Sequence, residues 1–369
     1  MSARPVRTIV AVFVAVAATW FIARPAFGQR TDRGDSAVGW RATMKDGPSD
    51  LAADAHGIVV TTSAPSVYAL GPDGRVRWRV PLHDLALGQP AIGADVAVVG
   101  GMQSVTALER TDGSVRWERP AAVASNSIAV AADTVLVGDD SGTLTALDAV
   151  SGTPRWSVQH PGVLWSGARV DLATGAVVAT WHQADEPAVR VFDLASGALR
   201  WEAPTDRYTA APAVHGGVVV LAIGDGDRHA RVEARDLATG TRRWQTAVPA
   251  SFEAAIEPAV ARSVVAVVDH FGVVSTFDLE TGRLRWQRDL ADVLLATRVS
   301  LTGHRIALTS YAGVLYVLDD RDGHVVARLA PERLGGLPVA TVRAPGRGPA
   351  RLLLALRMRE WGVQLRRLP

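Results

Sequence analysis

The segment WHQADEP, residues 181–187, places His182 beside Asp185 and Glu186, an imidazole and two carboxylates of the kind that hold a divalent metal or relay protons. A metal centre needs further ligands at set spacing, and no second histidine stands near, so the segment reads as a surface loop. GDDSGTL (138–144) and GDGDRHARVEARD (224–236), the latter with Asp225, Asp227 and His229, are acidic and glycine-rich like calcium loops. Calcium takes six or more oxygens in a defined order. Neither stretch supplies that order, so both read as hairpin turns. Ser36, Ser125 and Ser251 lack the glycine-flanked elbow of a serine hydrolase. The chain has no cysteine, which excludes disulfides, thiolate metal sites, a cysteine nucleophile and a lipidated N-terminal Cys. The reading is therefore of no catalytic residue, no metal and no cofactor.

Another spacing recurs along the chain. Glycine is followed four residues later by tryptophan at Gly74/Trp78, Gly113/Trp117, Gly152/Trp156, Gly197/Trp201, Gly240/Trp244 and Gly282/Trp286. A seventh copy keeps Gly323 but has Ala327 in the tryptophan slot, and Trp40 is in register with the series without a glycine turn before it. The interval of about 40 residues marks a stacked array of supersecondary units. Within each unit a β-branched run, such as that after Gly216, precedes an alternating strand, such as RVEARDL. The D-x-x-T-G element between that strand and the tryptophan is hairpin chemistry. Its Asp accepts hydrogen bonds from turn amides, and its Gly supplies a positive φ. A large side chain repeated once per unit is expected to fill the seam between units. Ala327 should leave one seam without that plug.

The apolar runs, read as the inner strands of these units, begin near Ile58, Val96, Val135, Val177, Val218, Val264, Ile306 and Leu352. That makes eight runs against seven turns. The chain ends in WGVQLRRLP, which aligns with GVLYVLDD and stops where an eighth turn would begin. The expected fold is therefore all-β, an eight-bladed propeller of four-stranded antiparallel blades. The strand around residues 37–44 closes the last blade beside the C-terminal strand and leaves no open edge.

ARDLATGTRRW, TFDLETGRLRW and ALDAVSGTPRW resemble the tryptophan-docking repeat of pyrroloquinoline quinone (PQQ)-like propellers, and the resemblance covers roughly residues 37–369. It implies that the seven tryptophans and seven turn glycines are structural, joining blades. In the dehydrogenases of this family a quinone lies over the central channel with Ca²⁺, a catalytic Asp and often a vicinal disulfide. This chain has no cysteine for the disulfide and no placeable counterpart of the calcium ligands. It resembles more closely the propeller subunit of the β-barrel outer-membrane assembly machinery, which is tethered through a Cys absent here.

Arg4 and Arg7, an apolar run from Ile9 to Ala23 and the small residues Ala26 and Gly28 make a secretory signal, cleaved after Gly28 or retained as an anchor. Residues 29–36 read as a linker and 37–369 as the propeller. The net charge of +2 is carried almost wholly by dispersed Arg, Lys45 being the single lysine, so no nucleic-acid surface is expected. The functional expectation is an exported, monomeric, non-catalytic scaffold that binds an envelope or extracellular protein. Membrane contact would be confined to the N-terminal segment. The loops bearing His182, Asp185, Glu186, Asp225, Asp227 and His229 are the candidate partner contacts, because they exceed what blade-building needs. The alternatives are a PQQ-dependent dehydrogenase and a small-ligand-binding propeller.

Overall fold

The computed structural model describes residues 38–121, 123–164, 167–181, 187–206, 208–224, 230–248, 257–294, 299–310, 314–329, 336–342, 351–356 and 362–367. All lie in the compact unit Gly34–Pro369. They form eight antiparallel sheets and no helix, so none of them makes a helix able to cross a membrane.

Blade 1 shows the plan. From the centre outward it runs Pro48–Asp54, Gly57–Thr62, Ser66–Leu70 and Val76–Pro81, each strand paired with the next. Blades 2 to 7 repeat this order over 91–120, 123–159, 169–204, 208–248, 259–289 and 300–329. In blade 5 the innermost edge is split into Tyr208–Thr209 and Ala213–His215, both paired with Val218–Gly224. Each innermost strand touches its neighbours on both sides, including Gly336–Val342 of blade 8 against Pro48–Asp54 of blade 1, so the ring is closed.

Blade 8 uses both ends of the chain. Gly336–Val342, Arg351–Leu356 and Gly362–Arg367 are followed by Val38–Thr43 as the outermost strand. Trp40 faces Leu365 and Ala42 faces Val363. The last blade is thus completed by the first strand, as the missing eighth turn implied. A ring sealed in this way has no free edge for lateral pairing.

One expectation needs correction. The β-branched runs are second from the centre and not innermost. Gly57–Thr62, Val96–Gly100 and Val218–Gly224 are buried along their whole length. A neighbouring blade covers each of their faces, so both alternating side-chain sets must be apolar. Among the innermost strands Arg169–Asp171 and Ala259–Ala261 are short and half-buried, because one side faces the channel. The core is a set of layers between blades. Val96, Val98 and Trp117 of blade 2 pack with Val135 and Leu147 of blade 3, and Val178 and Val191 of blade 4 with Val219 and Leu221 of blade 5.

Candidate functional site: seams, channel and loops

At each seam the tryptophan of one blade meets the turn of the next. The Trp78 indole donates its Nε1–H to the Arg110 carbonyl at 3.0 Å, Trp117 to Ala149 at 3.1 Å and Trp156 to Leu194 at 2.8 Å. Trp201 donates to Leu237 at 2.8 Å, Trp244 to Leu279 at 2.7 Å and Trp286 to Asp320 at 2.9 Å. The face of each ring lies against the turn glycine of that next blade. A Cβ on Gly113, Gly152, Gly197, Gly240, Gly282 or Gly323 would stand 2.5–2.7 Å from the ring of Trp78, Trp117, Trp156, Trp201, Trp244 or Trp286. These glycines and Gly74 also have φ between 68° and 80°, which L side chains rarely adopt. Two demands, a left-handed backbone and a ring in van der Waals contact, converge on one residue type.

Each tryptophan follows a one-residue bulge, as where Ala234 pairs Trp244 and Arg235 pairs Arg242. Trp40 follows the same bulge, with Val38 opposite Arg366 and Trp40 opposite Leu365. Its strand is therefore in the common register, and the turn of blade 1 with Gly74 is the one that follows it around the ring. Ala327 has the tryptophan register too, facing Val317, and is buried. Its seam differs for a topological reason. The next blade is blade 8, whose third strand ends at Arg367 and whose fourth begins at Val38, so no hairpin turn joins them. Seven tryptophan positions match seven turns, and alanine stands where a turn cannot exist.

The residue before each of the six later tryptophans is arginine, a regularity that the sequence reading passed over. Arg243 bonds Asp236 at 2.6 Å, Arg200 bonds Asp193 at 2.7 Å and Arg285 bonds Asp278 at 2.6 Å. The other oxygen of each Asp accepts the turn amides, as Asp236 does from Ala238 and Thr239 at 3.0 Å. These bonds, the arginine foremost, hold the carboxyls of Asp193, Asp236 and Asp278 down at about 2 and that of Asp148 well below the usual carboxylate range. Arg200 and Arg243 also reach the carbonyls of Gly175 and Gly217 in the turn between the first two strands of their own blades. One guanidinium thus ties the two hairpins of a blade together.

The central channel holds a cavity of about 300 Å³ lined by Ala213, Val214, Pro258, Ala259, Val260, Val299, Ser300 and Leu301 with Arg169 and Glu257. Arg169 of blade 4 donates Nε to Glu257 Oε1 at 2.7 Å and pairs a terminal nitrogen with the other oxygen. Glu257 leads into blade 6, so this bidentate bridge skips blade 5. No sequence pattern points to it, since the partners are 88 positions apart. A quinone with Ca²⁺ does not fit these residues: the carboxylate of the lining is already held by Arg169, and the other lining side chains, Ser300 apart, are apolar. Among the described residues no three His, Cys, Asp or Glu side chains converge on one point.

The candidate partner positions His182, Asp185, Glu186, Asp225, Asp227 and His229 lie outside the described residues, as do Trp20, Trp165, Trp361, Ser36 and Ser251. They fall between the second and third strands of blades 4 and 5. The corresponding turns of blades 2 and 6 expose Met102 and Phe271, at 60% and 63%. Trp181, just before this loop, is wholly buried. It donates to the Gly142 carbonyl at 2.8 Å, packs edge-on to His160 and carries the Arg190 guanidinium over its ring. Burial, then Arg190, lowers the pKa of His160. The stretch 138–144 is a turn: Asp139 accepts from the amides of Ser141 and Thr143 at 2.9 and 2.8 Å.

A closed ring of eight antiparallel blades, joined by tryptophan-to-turn contacts and carrying no convergent ligand set among the described residues, is a β-propeller of PQQ-like repeats. The chain belongs to the family described as outer membrane protein assembly factor BamB, whose model matches residues 29–180 and 185–333. Among solved structures it is similar to BamB from Moraxella catarrhalis, at 19% identity and a TM-score of 0.72 over 90% of this chain and 97% of that one. It is also similar to a europium-containing methanol dehydrogenase, at 12% identity and TM-score 0.69 over 86% and 84% of the two chains. Quinohemoprotein alcohol dehydrogenase from Comamonas testosteroni gives 12% and 0.69 over 89% and 73%. At these identities the likeness is one of fold. No curated protein matches the chain.

Proposed function

We propose that this chain is an exported, non-catalytic propeller that holds an envelope protein during assembly. The observation that carries the reading is how the repeat's polar and aromatic residues are used. The six described seam tryptophans, the turn acids and their arginines satisfy one another within and between blades, and the channel carboxylate is paired. Membership of a family described as an assembly factor supports the same reading. The contact face is the one bearing the turns between second and third strands. There Met102 and Phe271 stand exposed on hairpin turns, and an aromatic or thioether side chain presented in that way suits a protein contact. Residues 1–28 serve as signal or anchor, and the seam tryptophans are structural.

The test is crosslinking from that face in the native envelope followed by isolation of adducts. A discrete protein adduct is expected. The dehydrogenase alternative, favoured by the likeness of fold to two dehydrogenases, is tested by adding PQQ and Ca²⁺ to the purified protein. Stoichiometric bound quinone, or dye reduction with simple alcohols, would replace the scaffold reading.

A further inference from the structure

Five of the six arginines preceding a seam tryptophan close on the acidic residue that opens their own turn. Arg116 bonds Glu109, and Arg155, Arg200, Arg243 and Arg285 bond Asp148, Asp193, Asp236 and Asp278, all at 2.6–2.7 Å. Arg77 has no such mate. The turn of blade 1, Ala69 to Gly74, is one residue shorter than Ala234 to Gly240, and the residue facing Arg77 is Gly71. A Cβ there would stand 2.6 Å from Asp73 Oδ1, 3.2 Å from Arg77 Nε and 3.6 Å from a terminal nitrogen. The repeat has kept the guanidinium and deleted the carboxylate. Asp73 does not replace it: that carboxylate accepts the Arg75 amide at 3.1 Å and lies 3.7 Å from the Arg75 guanidinium. Among the described residues Arg77 has no hydrogen-bonded or ion-paired partner.

Arg77 lines a cavity of about 190 Å³ at the seam of blades 1 and 2, together with His56, Gly57, Arg110 and Thr111 among others. Arg110 brings no net charge, because its terminal nitrogens hold both oxygens of Asp54 at 2.7 and 2.8 Å. Arg77 is therefore the uncompensated charge on the wall, with the His56 imidazole and the Thr111 hydroxyl as further polar groups. A guanidinium presents paired N–H donors at the spacing of two oxygens of a carboxylate or phosphate.

We propose that this cavity binds a small oxyanion, phosphate or a compact carboxylate, through a guanidinium that in five other blades is paired within its own turn. The site is independent of the partner reading. Because it spans the first seam, occupancy stabilises the ring, and binding is readable as a rise in melting temperature.

The experiment uses the full chain at pH 7 and fixed ionic strength, with inorganic phosphate replacing chloride and acetate as a second arm. Wild type should show a saturable rise in melting temperature and matching heat in calorimetry. Arg77→Gln should weaken the apparent affinity by at least about tenfold, since a charge-assisted bidentate contact is lost. Gly71→Asp places a carboxylate beside Arg77 within the chain. Where it folds, it should abolish the response to phosphate. Arg77 is exposed, so Arg77→Gln keeps the fold and carries the test even where Gly71→Asp, at a buried position, does not fold. Equal responses in all three proteins, or no saturable response in wild type, would overturn the proposal.

Discussion

Trp244→Ala is the sharpest test of how the ring is held. The Trp244 ring is 8% exposed and packs with Ala234, Val265, Phe277 and Leu279 across the seam of blades 5 and 6. Its removal forfeits the burial of an aromatic side chain and leaves a cavity against Gly282, which has no side chain to collapse into it. It also strips the Leu279 carbonyl of the indole donor. Aromatic truncation in a core costs about 3–5 kcal/mol, of which a lost buried hydrogen bond accounts for about 1. For a folded unit of roughly 330 residues, an unfolding entropy of about 2.1 cal/mol/K per residue converts that loss to about 4–7 °C in melting temperature. Trp244→Phe keeps most of the apolar area and loses the donor, so it should cost about a third as much. Differential scanning calorimetry of the two variants against wild type makes the comparison. An unchanged melting temperature for Trp244→Ala, with a partner or ligand interaction abolished, would refute the seam role and make the repeat a binding site.

Gly282→Ala should destabilise by about 2 kcal/mol or more, measured by urea unfolding, because it combines φ of 68° with a Cβ 2.5 Å from the Trp244 ring. Ala327→Trp should not stabilise, contrary to what an empty tryptophan slot suggests, and should lower the melting temperature by overpacking, about 1–3 kcal/mol. Blade 8 has no turn to receive the ring, so any stabilisation would contradict the topology. The depressed carboxyls of Asp193, Asp236 and Asp278 titrate at about 2 in the folded chain against an ordinary 3.8. Their stabilisation is present above the unfolded value and is lost as pH falls from about 4 towards 2. Melting temperature should therefore drop over that window, and Arg243→Gln should flatten part of the slope. Solvent exposure and salt keep each contribution small.

Much of the fold was legible in sequence because one unit is written seven times. The glycine-to-tryptophan spacing exposed the period, and the mismatch between eight runs and seven turns exposed the closure through Trp40 and Leu365. What was misjudged was radial order: a run of β-branched residues says that both faces are covered, and a strand second from the centre is covered on both. The meaning of Ala327 was illegible, because it depends on the neighbouring blade being split between the chain ends. The bridge from Arg169 to Glu257 could not be read, since the two positions share no element and meet only across the channel. The arginine before each tryptophan was readable. Its seven-residue spacing from the turn acid carries no meaning until the hairpin folds the two together.

The most direct measurement of the functional claim is photo-crosslinking in the native envelope from a probe at Phe271, with the same probe at Arg75 on the opposite turns as control. The account expects a discrete adduct with one envelope protein from Phe271 and none from Arg75. No adduct from Phe271, together with dye reduction once PQQ and Ca²⁺ are supplied, would contradict the scaffold reading.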